Sequence, residues 1–128
     1  MASRKSKQEA TRTCQAGQAA LAARLLKRIS SEAAAAGNNL VFSPLSIHVA
    51  LALMSTAAAG DTLDEILRVA GAPSLEELAP FVRDTVVDGV LADQAGIGGP
   101  SISFACGTWT DKAWPLRPAY VHYVKNDF

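Results

Sequence analysis

Few cysteines, few aromatic residues and no excess charge of either sign mark this 128-residue chain. Its 12 basic and 12 acidic residues cancel, which argues against a dedicated nucleic-acid binder, whose electrostatic footprint is a basic excess. Cys14 and Cys106 are the only cysteines. A secreted disulfide framework would use more of them at closer spacing, so two free thiols in a reducing compartment are expected. No Asn-x-Ser/Thr acceptor occurs, because Asn38, Asn39 and Asn126 have no hydroxyl residue two positions on. The opening MASRKSKQEATRTC has no apolar core of a signal peptide, so a cytoplasmic location is the expectation. No membrane partner is expected either. The longest greasy stretch, at about 14 residues, is short of the roughly 20 that a span takes.

Catalytic and ligand-binding signatures are missing too. There is no nucleophile elbow and no His-Glu-x-x-His. Gly96, Gly98 and Gly99 form a glycine cluster, but no Lys-Ser/Thr follows it and no strand leads into it, so it reads as a plain flexible loop. His48, His122, Cys14 and Cys106 lack the close paired spacing of a zinc site. Asp61, Asp64 and Glu65 sit where a helix begins, and the helix dipole accounts for them. No enzyme, no metal and no cofactor are expected. His48 reads as a core or helix-face histidine satisfied by one hydrogen bond.

What the chain does have is the stretch Asn39–Thr62, NLVFSPLSIHVALALMSTAAAGDT. Ser43 before Pro44 is a strong helix start: the hydroxyl can cap the first free amides, and proline fits the first helical position. From Leu45 to Ala58 almost every residue is apolar, and Leu45, Ile47, Val49, Leu51, Leu53 and Met54 reach all sides of a helical wheel. Such a helix needs neighbours on every face.

The other segments follow in order. Residues 1–13 carry Arg4, Lys5, Lys7 and Arg12 against Glu9 and read as a frayed, disordered basic terminus. Residues 14–36 place Leu21, Leu25 and Ile29 at helical spacing, and Gly37-Asn38 is a stop. Leu40–Phe42 is a short strand candidate. Thr62 with Glu65, and Ser74 with Glu77, have the capping-box spacing for two further helices. Gly71 and Pro73 separate them, and Pro80 should kink the second or split off its first turn. Between about 101 and 111, Ile102, Phe104 and Cys106 alternate with smaller residues, which predicts a strand. Pro118 should start a last helix over 118–128. The fold class expected is α+β, with about five to six helices and one or two strands of an incomplete sheet.

Two strands alone are marginal without a wider sheet, and a lone strand exposes unpaired backbone groups. Together with the greasy helix, this suggests a sequence shaped inside a larger body. In isolation it should be aggregation-prone or molten.

The pattern Asn39-x-x-x-Ser43-Pro44-x-Ser46-Ile47-x-x-Ala50-Leu51, then Gly60-x-Thr62, resembles the N-terminal signature of the serpins. Thr56-Ala57-Ala58-Ala59-Gly60 departs from the commoner Gly-Ala-x-Gly form, and the alanine-rich, leaderless character looks most like plant serpins. The resemblance implies a protein of three sheets and eight or nine helices that inhibits serine proteases. An exposed reactive loop inserts into the central sheet after cleavage. It implies shutter-like structural positions for Asn39, Ser43, Pro44 and Ser46, beneath the opening sheet, and a central-sheet strand for Trp109.

Residues 14–128 would then be a partial serpin domain that stops before the reactive centre loop and is non-inhibitory. A serine protease would be its partner only in a full-length form, and the family leaves an extracellular location open. In heparin-binding members the corresponding helix is basic. Here Glu76, Glu77, Asp84, Asp88 and Asp93 face only Arg83, so no heparin binding is expected. The competing reading is a small helical interaction module that docks through an exposed strand edge.

Overall fold

The computed structural model describes residues 4–127. Five α-helices carry it: α1 (Arg4–Ala35), α2 (Pro44–Ser55), α3 (Gly60–Ala70), α4 (Leu75–Pro80) and α5 (Pro118–Asp127). A π-helical segment, Phe81–Val90, continues directly from α4, and a 3-10 turn follows at Ala95–Ile97. Among the described residues there is no strand.

The helix ends follow local chemistry. After α1, Gly37 takes φ +68, its N–H donates to the Ala34 carbonyl and that of Asn38 donates to Ala33. This is the Schellman pattern, which only a residue tolerant of the left-handed region closes without strain. Pro80 does not break its helix. It closes α4, and the chain widens beyond it into i→i+5 turns, the last of them Leu91 N–H to the Val86 carbonyl at 2.8 Å. The turn at Pro80 itself is not widened: Phe81 N–H donates to the Glu77 and Leu78 carbonyls.

The core lies where α1, α2, α3, α4 and the π-helical segment meet. Cys14, Val49, Ala52, Leu67, Ala70, Leu78, Phe81, Val82 and Val86 are buried in it, with Leu45, Leu63, Leu91 and Phe104 packed partly against it. α1 crosses the end of α3 at glycine on glycine. A Cβ on Gly17 would overlap the Gly71 carbonyl, and one on Gly71 would overlap the Gly17 backbone. Past Val86 no described residue is buried.

Several expectations are corrected. The class is all-helical among the described residues, not α+β. Leu40–Phe42 and residues 101–111 are irregular and pair with no strand. A strand is defined by its neighbour, and no backbone hydrogen bond joins these two segments. Ile102 N–H instead donates to the Asp93 carboxylate at 3.2 Å, and Val41 is 96% exposed. Among the described residues there is thus no strand edge of the kind that edge docking needs. The frayed basic terminus is helical from Arg4 onwards, continuing the packed part of α1. Once a helix is anchored, each further residue adds a hydrogen bond without a new nucleation step. The loop at residues 95–100 is closed rather than loose. Asp93 Oδ1 accepts from Ala95 N–H at 3.1 Å, and Gln94 N–H donates to the Pro100 carbonyl.

Candidate functional site

The start of α2 is the first place where polar groups are arranged on the buried helix. Ser43 is its N-cap, with extended backbone (φ −112, ψ 100), and Pro44 is its first residue. Ser43 Oγ accepts from Ser46 N–H at 3.2 Å and from Ser46 Oγ at 2.9 Å. Both hydroxyls are exposed, so this pair is held only by itself and by the cap. Asn39 lies four residues before, exposed in the connection from α1. The four positions thus share one end of α2, and Asn39 enters no described side-chain bond.

The other predicted caps fall differently. α3 begins at Gly60, where φ is +57, with Ala59 as its N-cap. The helix is under way two residues before Thr62, so Thr62 sits inside the first turn and forms no box with Glu65. Ser74 is at the N-cap position of α4, and its carbonyl accepts from Leu78 N–H at 3.0 Å, but its hydroxyl makes no capping bond. Glu77 is half-buried and its charge acts on Cys14 of α1 instead. Neither capping box forms.

Deeper in, His48 of α2 is fully buried. Its Nε2 lies 3.1 Å from the Ala70 carbonyl at the end of α3, and its ring stands edge-on to Phe81, with centroids 6.1 Å apart at 84°. Nδ1 has no hydrogen-bond partner, and neither does the buried Gln18 Nε2. Burial holds the imidazole below its ordinary 6.5, while the bond to Ala70 works the other way. Cys14 is buried and free, and its thiol is pushed up to about 11, first by burial and then by Glu77. That thiol stays protonated and unreactive near neutral pH. Cys106 is free and exposed. Arg24 of α1 donates to the Val69 carbonyl at 2.8 Å. Tyr120 of α5 reaches back to α2 and donates to the Leu53 carbonyl at 3.2 Å.

Among the described residues no three His, Cys, Asp or Glu side chains come together as a metal site. No described helix is long and apolar enough to cross a membrane. Sequence reasoning missed the Gly17–Gly71 crossing and the end of α3 as a meeting point. A glycine inside an alanine-rich helix was the only signal for the first.

The α2 helix also keeps one bare side. Ala50 is exposed and Met54 is 54% exposed, whereas Val49, Ala52 and Leu53 are buried. An apolar helix half sheathed by its own chain is the expected state of part of a larger core.

Comparison with known proteins bears on this geometry. The family model for Serpin (serine protease inhibitor) matches residues 16–128. Rice Serpin-Z2A is 48% identical over 104 residues, covering 81% of this chain and 24% of the relative. Rice putative serpin-Z8 is 48% identical over 118 residues, covering 91% and 27%, and wheat Serpin-Z1C is 40% identical over 105, covering 82% and 26%. The chain therefore spans about a quarter of the length of the curated relatives it matches. No solved structure gives a significant match. With the match running through α1, the Ser43–Ser46 pair, α2 and α3 to the last residue, the chain belongs to the serpin family.

Proposed function

We propose that residues 16–128 are the helical base of a serpin-type protease inhibitor, and that these 128 residues alone do not inhibit a protease. The observation that carries this reading is the Ser43–Ser46 hydroxyl pair. It sits exposed at the start of α2, next to a helix whose outer side is bare. Two hydroxyls bonded mainly to each other can exchange that bond for one to a strand laid over them, at little net cost, because protein hydrogen bonds are worth about 1 kcal/mol net. That is what a shutter position requires. Asn39 and Pro44 belong to the same reading, Asn39 as a second exposed polar group and Pro44 as the rigid first turn. The chemistry of inhibition, and any serine protease partner, belongs to the remaining three quarters of a full-length relative.

The direct test incubates the 128-residue chain with trypsin-like and chymotrypsin-like proteases and looks for an SDS-stable covalent complex. None is expected, and one would overturn the reading. The second arm joins residues 16–128 to the rest of rice Serpin-Z2A. This chimera should form such a complex. The double variant Ser43→Ala, Ser46→Ala in the same chimera should shift turnover from trapped protease towards simple cleavage. An unchanged partition would remove the shutter role from this pair.

A further inference from the structure

We propose that His48 is an acid-released latch, whose neutral ring ties the middle of α2 to the C-terminal end of α3 and whose protonation unties it. Three elements converge on the Ala70 carbonyl. His48 Nε2 of α2 is 3.1 Å from it, and a Cβ on Gly17 of α1 would come within 2.8 Å of it. The neighbouring carbonyls are already used. Leu67 accepts from Gly71 and Ala72 N–H, and Val69 accepts from Arg24. His48 is thus the side chain that satisfies the last carbonyl of α3.

The bond also settles the tautomer. A carbonyl only accepts, so Nε2 carries the hydrogen and neutral Nδ1 is a bare acceptor. Nδ1 is buried without a partner, a tolerable state for one lone pair. Protonation converts that site into a second N–H donor with nothing to receive it, and places a full charge in the core. Both changes are among the expensive ones in a protein interior.

The groups on the surrounding elements do not rescue the charge. From α1 come the Cys14 thiol, the Gln18 amide, whose buried nitrogen is itself a donor, and the Arg24 cation. From α4 comes Glu77, whose charge acts on Cys14. The π-helical segment offers Asp84, exposed and held by Arg83 at 2.8 Å, and Asp88, also exposed. α3 offers Asp61, Asp64, Glu65 and Arg68, all exposed, and α2 has no other titratable residue. None of these carboxylates is bonded to the ring, and the carbonyl end of α3 favours a cation only through its dipole. Relief comes when the ring swings towards water, which frees Ala70 and parts α2 from α3.

The test is amide hydrogen exchange by mass spectrometry on the dilute 128-residue chain, at about pH 7 and about pH 5, corrected for the intrinsic rate. Amides of residues 67–72 should exchange about tenfold faster or more at the lower pH, and His48→Gln, which keeps a donor but does not titrate, should remove that acceleration. Equal corrected rates at the two pH values, or the same acceleration in His48→Gln, would overturn the latch. Should His48→Gln not fold, imidazole C2 exchange on the unaltered chain decides instead. A His48 midpoint below that of free imidazole, tracking the loss of protection at 67–72, supports the latch; a midpoint at or above it sinks the proposal.

Discussion

Residues 4–91 and residues 92–127 carry similar kinds of apolar side chain and fare very differently. In the first region α1–α4 and the π-helical segment bury Leu78, Val49, Val82 and Val86 almost completely. In the second, Ile97 is 86% exposed, Trp109 90% and Trp114 78%. Burial in the first is possible because a helix satisfies its own backbone and needs only one apolar stripe against a neighbour. The irregular segment at 101–111 has no such autonomy: without a partner strand Trp109 stays in solvent, and Phe104 packs only partly against the core. The difference teaches that what this chain lacks is sheet, not hydrophobicity.

The most severe way to break the contrast is at the α1–α3 crossing. Gly17→Val should separate α1 from α3 and unfold the first region, because backbone meets backbone there and cannot give. A loss above about 4 kcal/mol is expected, read as loss of exchange protection across α2 and α3. Protection equal to the parent would show that the crossing is looser than described. Next, Leu78→Ala should cost roughly 2–5 kcal/mol as a buried cavity, measured by the same exchange. Trp109→Ala in the second region should cost under about 0.5 kcal/mol.

Cys14 gives an intermediate effect at high pH. Its thiol titrates at about 11 in the fold against 9.0 unfolded, so the folded state binds the extra proton. Stability should hold below pH 9 and fall as pH rises from about 9 to 11, by roughly 2–3 kcal/mol. Cys14→Ala should flatten that slope in a denaturant titration. His48 has the opposite sign. Its folded value lies below 6.5, so the unfolded state binds the proton and stability should decline as pH falls below about 6.5. Smaller still, Ser43→Ala should cost about 1 kcal/mol through the lost cap.

To sharpen rather than break the comparison, the chain can be examined alone for self-association and dye binding. The bare side of α2 and the exposed tryptophans should make it associate at micromolar concentration and bind a hydrophobic dye. A monodisperse monomer with sharp thermal unfolding would count against an unfinished core.

The sequence by itself determined whatever depends on neighbours within a turn or two. The Ser43-Pro44 start of α2, the Gly37 and Gly71 stops, the helical register of α1 and the family signature were all legible there, because caps and periodicity are local. Tertiary structure decided the rest. Whether Ile102–Phe104 becomes a strand depends on a partner that spacing cannot supply. Whether Thr62 caps a helix depends on where Gly60 turns the chain. The place of His48 against Ala70, and of Gly17 against Gly71, depends on two helices meeting, an event set by packing between residues far apart in sequence. Local rules name what each segment can do, and only the contacts between segments select among those options.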